Sequence, residues 1–147
     1  MAMGKDQFVG TWKLVSFEAR RSDGQMVYPF GRGAMGVIGY DTRGNMSVQL
    51  MRSDRPAFAV SDFQKGTPEE IKAAFEGFIA YFGTYDVNEE EATVTHHVRG
   101  SLFPNWVGSD QIRFFEFSGN RLTLRTPSIQ LGGVVATSQL IWERMVT

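Results

Sequence analysis

The stretch GVIGYDTRGNMSVQLMR, residues 36–52, reads as a β-hairpin. Apolar and polar residues alternate on both sides of a short polar break, and that period of two is a strand signal. Asp41 to Gly44 supplies the turn, with Gly44 suited to the positive φ of a bulged hairpin loop. Pairing Tyr40 with Met46 puts Ile38, Tyr40, Met46, Val48 and Leu50 on one apolar face. A hairpin with one buried face needs further strands to cover it.

Those strands are present on both sides. Upstream, VGTWKLVSFEAR (9–20) places Trp12, Leu14 and Ser16 on one face and Lys13, Val15 and Phe17 on the other. A polar, Gly-rich loop follows over 21–34. Downstream, GTYDVN (83–88), ATVTHHVRGSL (92–102), QIRFFEF (111–117), RLTLRT (121–126) and VVATSQLIWERM (134–145) all read as strands, with Ser118-Gly119-Asn120 as a second hairpin turn. One segment changes period. In GTPEEIKAAFEGFIAYF (66–82), Thr67 and Glu70 fit a capping box and Pro68 suits the first helical position. Ile71, Ala74, Phe75, Phe78, Ile79 and Phe82 recur at spacings of three and four, which predicts a helix over about 68–82. The fold class expected is therefore all-β: an eight-stranded antiparallel up-and-down barrel occupying residues 1–147 as one domain. Its single mid-chain helix closes or flanks one barrel end.

Composition narrows the function. A net charge of −1, from 15 basic and 16 acidic residues, gives no electrostatic footprint for nucleic acid or an anionic membrane. There is no cysteine, so disulfides and thiolate metal sites are excluded. No apolar run reaches the roughly 18 residues of a membrane span, and MAMGKDQ lacks the apolar core of a signal peptide, so a cytoplasmic location is expected. No zincin, phosphate-loop or nucleophile-elbow pattern occurs, and neither a cofactor nor a metal is expected.

The chain ends carry a resemblance. FVGTWKLVSFE near the start, with Gly10-Thr11-Trp12 as a Gly-x-Trp motif, and LIWERM at the end resemble the first and last strands of calycins, the superfamily of lipocalins and fatty-acid-binding proteins. Calycins set a basic residue from a late strand over that tryptophan, which implies Arg144 over Trp12. Together with YPFG, MSVQLMR, GTPEEIKAAFEGFIAYFGTY, THHV and SLFPNWVG, the chain from 8 to 146 is similar to a bacterial group, the lipocalin-like domain. It lacks the two-helix lid that fatty-acid-binding proteins carry after their first strand, and its helix lies mid-chain instead of after the last strand. The resemblance implies a barrel for a small molecule and carries no catalytic residues.

Candidate site residues follow from strand parity. Neighbouring side chains in a strand face opposite ways, so His96 and His97 do not share a cavity unless a bulge intervenes. An apolar interior puts Val94, His96 and Val98 inside; a polar interior would instead admit His97 and Arg99. Placing Phe117 opposite Leu122 and Phe115 opposite Leu124 sends Arg113 to the same face. There it serves as an anchor for an acidic head group, or reaches solvent at the strand end. Glu116 and Arg125 form an exposed pair on the other face. Trp106 and Asn105, with Phe103, sit in SLFPNWVG (101–108), which is either a portal loop or a hydrophobic corner. Tyr40, Tyr85 and Gln139 complete the expected ligand contacts, alongside Phe115. Trp12 and Arg144 read as a structural plug, with about 0.5–2 kcal/mol from the stacked cation.

Three functions fit. The first is binding of a small hydrophobic or amphipathic molecule in the barrel, as monomer or homodimer. The second is a cofactor-independent isomerase or cyclase acting on a lipophilic metabolite, with His96 as acid–base. The third is a ligand-free structural or assembly role.

Overall fold

The computed structural model describes residues 4–146. Eight long strands run in sequence order around a closed antiparallel barrel: β1 (Gly10–Arg21), β3 (Met35–Tyr40), β4 (Asn45–Met51), β5 (Phe78–Asn88), β6 (Thr93–Ser101), β7 (Asp110–Ser118), β8 (Arg121–Arg125) and β10 (Val134–Arg144), with β10 paired back onto β1. Two short strands, β2 (Met26–Val27) and β9 (Ile129–Leu131), extend the ends of β1 and β10. The expected eight-stranded up-and-down architecture is what the chain adopts.

The 36–52 hairpin forms as expected. Tyr40 pairs with Met46, and Ile38, Tyr40, Met46, Val48 and Leu50 are all buried. Asp41 Oδ1 accepts the amides of Arg43 and Asn45 across the turn, and Gly44 takes a φ of 90°. In β7 and β8, Phe117 faces Leu122 and Phe115 faces Leu124, while Arg125 and Glu116 meet at 3.2 Å on the exposed side.

Two readings of local period are corrected. The helix, α2, covers only Pro68–Glu76 and ends at Gly77, not near 82. Its Thr67–Glu70 capping box is present, yet none of its residues is buried. Phe78, Ile79 and Phe82 belong to β5, which pairs with β4 from Met51↔Phe78 to Asn45↔Thr84. FIAYF (78–82) is a continuous apolar run whose own periodicity does not separate helix from strand once Gly77 has stopped the helix, and pairing with β4 decides between the two. In β1, Val15 is an extra residue between the pairs Leu14↔Trp142 and Ser16↔Ile141. This bulge switches parity, so Phe17 and Ala19 are buried and Ser16 is not, contrary to strict alternation.

A second bulge carries a prediction. Between Phe82↔Gly100 and Gly83↔Val98, Arg99 is the extra residue. A Cβ built on Gly83 collides with the carbonyl oxygen of His97 and lies 2.9 Å from its carbon. The obstacle is backbone, so it does not rotate away. Gly83→Ala is expected to destabilise the protein by about 1–3 kcal/mol, read as a lower urea midpoint at unchanged slope.

The barrel has unlike ends. At one, the turns at Asp41–Gly44, after Asn88 and at Ser118–Asn120 are tight. A short helix, α1 (Lys5–Phe8), lies across this end, and Phe8 is fully buried among Tyr40, Phe115 and Phe117 at ring separations of 4.9–5.1 Å. Trp12 lies beside it, its indole N–H donating to Phe8 O at 2.9 Å. The Arg144 guanidinium stacks over Trp12 at 4.2 Å and donates to Val9 O and Gln7 O. This is a plug that ties both chain termini together. At the other end lie the longer connections, including 52–77 with α2 and the loop 102–109.

Candidate binding cavity

A cavity of about 390 Å³ occupies the half of the barrel away from the plug. Its floor is formed by Ile38, Val48, His96 and Trp142, and its walls include Phe17, Leu50, Tyr81, Leu124 and Leu140. Phe103 and Gln130 line it and are also exposed, so they mark the mouth. Trp106, in a single 3-10 turn (Pro104–Trp106), packs edge-on against Tyr81 at 6.0 Å and against Phe103 at 5.3 Å. Phe75 of α2 reaches Phe103 at 6.5 Å, so the helix flanks the mouth and does not plug it.

The polar groups of the cavity are few and connected. His96 is 1% exposed. Its Nδ1 lies 2.7 Å from the Tyr81 hydroxyl and its Nε2 lies 2.7 Å from the Tyr40 hydroxyl. Desolvation, then Arg113, then His97 push the His96 pKa down to about 3, so the ring is neutral near pH 7. Burial raises the pKa values of Tyr40 and Tyr81, with the Arg113 cation opposing it at both. All three rings are therefore uncharged.

Proton counting orients the chain. A neutral imidazole has one donor and one acceptor nitrogen. One tyrosine thus donates to the ring and the other accepts from it, leaving the second tyrosine's own proton to go elsewhere. Tyr40 lies beneath the floor with no other partner among the described residues, where an orphaned proton would cost about 1–3 kcal/mol. Tyr81 lines the cavity. Tyr40 accordingly donates to Nε2, Nδ1–H donates to Tyr81, and the Tyr81 O–H points its proton into the cavity.

Beside Tyr81 is Arg113, half-buried at the cavity wall. It donates to Ile112 O at 3.0 Å and to Gln111 Oε1 at 3.3 Å. Among the described residues no carboxylate lies within 4.0 Å of it. Among the described residues no Asp or Glu lines the cavity. Trp142 Nε1 and Ser138 Oγ, on lining residues of β10, are buried without a protein partner.

The structure places the other expected contacts as follows. Tyr85 and Phe115 are buried at the plugged end, and the Tyr85 hydroxyl donates to Asp41 O. Gln139 is on the outer surface, bonded to Arg125, because Ser138 and Leu140 take the inward positions of β10. Asn105 is exposed and does not line the cavity, whereas its neighbour Trp106 does. His97 faces outward, bridging Asp110 at 2.8 Å and Asp86 at 2.7 Å. Tyr81, Gln111, Ser138 and Trp142 were not singled out by sequence reasoning. Tyr81 was hidden by reading 78–82 as helix, and Gly77 was the signal that would have exposed it. Among the described residues no group of three or more His, Asp or Glu is arranged to hold a metal ion. No helix among them is long and apolar enough to cross a membrane.

A closed antiparallel barrel with a Gly-x-Trp plug at one end and a ligand-sized cavity towards the other is the architecture of a calycin. The chain belongs to the lipocalin-like domain family, whose model matches residues 9–145. A relative from Aspergillus oryzae, named 4'-hydroxy-3'-methoxypropiophenone carrier protein, is 33% identical over 107 residues, covering 68% of this chain and 96% of the relative. A crystal structure of a lipocalin-like protein from Bacteroides uniformis superposes with a TM-score of 0.47 at 14% identity, over 95% of this chain and 99% of that one.

Proposed function

We propose that the protein is a carrier that encloses one small, largely apolar aromatic molecule in the barrel, with the molecule's polar end against Tyr81 and Arg113. The observation that carries this reading is a cavity of about 390 Å³, inside the usual range for small-molecule sites, with aromatic walls and one converging polar corner. The Aspergillus relative supports it, since that protein is named as the carrier of a hydroxyaryl ketone. Such a ketone has a flat apolar body suited to Phe17, Phe103 and Trp106. Its oxygens accept hydrogen bonds of the kind that Tyr81 and Arg113 donate.

The acid–base alternative for His96 has less behind it. Both ring nitrogens are already bonded to tyrosines, and a pKa near 3 makes the ring a poor base at neutral pH.

Titration with 4'-hydroxy-3'-methoxypropiophenone, followed by quenching of tryptophan fluorescence, is expected to saturate at one equivalent with a Kd of roughly micromolar order. Leu140→Trp, which fills the cavity from β10, is expected to weaken binding at least about tenfold while the barrel stays folded, at a stability cost of about 1–3 kcal/mol. Absence of saturable binding to the native protein across a panel of hydroxyaryl ketones would defeat the proposal.

A further inference from the structure

We propose that the cavity binds a weakly acidic phenol as its phenolate, with the oxyanion held between the Tyr81 hydroxyl and the Arg113 guanidinium. This deepens the carrier reading and rests on it. Three arrangements lead here. Arg113 brings a positive charge to the wall of an apolar cavity, and among the described residues no carboxylate neutralises it. In a poorly solvated site the favourable partner for such a charge is an anion, and a bidentate or paired contact to oxygen is what guanidinium geometry provides.

The second arrangement is the direction of the Tyr40–His96–Tyr81 chain. With Tyr40 donating to His96 and His96 donating to Tyr81, the Tyr81 hydroxyl is left as a donor facing the cavity, polarised by the bonds behind it. A ligand oxygen there meets two donors and no base.

The third is the inventory of titratable groups. Those lining the cavity are Tyr81 on β5, His96 on β6 and Arg113 on β7, while β1, β3, β4, β8 and β10 contribute none. A neutral phenol would need an acceptor for its own proton. At the Tyr81–Arg113 corner the Gln111 side-chain oxygen is already taken by Arg113 and both His96 nitrogens are taken, which leaves the Ser138 hydroxyl on β10 as the unpartnered neutral acceptor of the lining. Two donors, one of them a cation without a carboxylate, favour the oxyanion over the neutral phenol: the O–H bond breaks heterolytically, the electron pair stays on oxygen, and the proton leaves to bulk water through the mouth. Amines and other cations are disfavoured by the same wall.

The test uses the 4-acylphenol of the binding assay and its O-methyl ether, whose oxygen cannot ionise. Ionisation of the bound phenol is followed by its absorbance from pH 5 to 9. The expected result is a bound midpoint lower than that of the free phenol by at least about one pH unit. Between the bound and free midpoints, binding releases about half a proton for a one-unit shift and more for a larger one, visible as a buffer-dependent heat. The methyl ether is expected to bind at least about tenfold more weakly. Arg113→Leu is expected to return the midpoint towards the free value, and Arg113→Lys to keep part of the shift. A bound midpoint equal to or above the free one, with phenol and ether bound equally well, overturns the phenolate and leaves the carrier standing. Binding of neither compound overturns both.

Discussion

Trp12→Ala is expected to lower the unfolding free energy by about 3–5 kcal/mol, the upper range for a single core truncation. The reason is the number of elements that meet on one side chain. Trp12 is 1% exposed, and its indole packs beside Phe117 at 6.0 Å and under the Arg144 guanidinium at 4.2 Å. Its N–H holds Phe8 O, and so fixes the short helix that closes the plugged end. Truncation leaves a cavity, removes a buried hydrogen bond and frees a cation that also ties Val9 and Gln7 to the last strand. Equilibrium urea unfolding followed by circular dichroism is the measurement. Because the plug lies opposite the mouth, protein that remains folded should retain ligand affinity. A loss of stability below about 1.5 kcal/mol would show that the plug is not the keystone described here.

The second large effect is a dependence of stability on pH that one residue controls. In the unfolded chain His96 takes up its proton near pH 6.5. In the barrel it does so only near pH 3, chiefly because burial disfavours the charged ring. Between those values the unfolded state holds more protons than the folded one, so stability falls as pH falls, by up to about 1.4 kcal/mol per pH unit. His96→Gln removes this term while offering an acceptor to Tyr40 and a donor to Tyr81 in place of the ring. At pH 7 the variant is expected to be less stable than the native protein by about 1–3 kcal/mol. On acidification to pH 4 that gap should close by about 2–3 kcal/mol, through equality or beyond. A gap that stays constant from pH 7 to 4 would mean that His96 charges freely in the folded protein.

His97 contributes with the opposite sign. Its pKa is raised by Asp110 first and Asp86 second, so its stabilisation is complete below the unfolded value and is lost as pH rises through the folded one. It is present in both proteins of the comparison and leaves the His96 difference readable. Its partners are exposed, and the effect is correspondingly small.

The two histidines show how far the order of residues alone reaches. Parity along THHV put Val94, His96 and Val98 on one face, and the structure buries all three while His97 points outward. The same reasoning set Tyr40 against Met46 and Phe115 against Leu124, and Arg113 on the inner face. Arg144 over Trp12 came from the calycin resemblance, and the structure stacks the two at 4.2 Å. Parity failed where period two was interrupted. The extra residue Val15 turned Phe17 inward, and the signal available was an apolar residue on each parity, with Leu14 and Phe17 both needing cover. It also failed at 78–82, a continuous apolar run in which no period is readable, so the helix was drawn too long and Tyr81 was overlooked. Gln139 and Asn105 were placed by strand and loop membership, which does not say which wall faces the cavity.

Residue order was enough for most of the strands, for the turns between them and, wherever the pleat runs unbroken, for which side chains avoid water. Those follow from the two-residue pleat and from local turn chemistry, which act over a few positions. Tertiary structure alone decided what those inward side chains meet. Tyr40 and His96 are 56 residues apart and Tyr81 and His96 are 15 apart, yet one bonded line joins all three. Arg113 reaches the end of that line only because β5, β6 and β7 lie side by side in a sheet that closes on itself. Contacts of that kind depend on closure and register around the whole barrel, and so does the empty volume they surround.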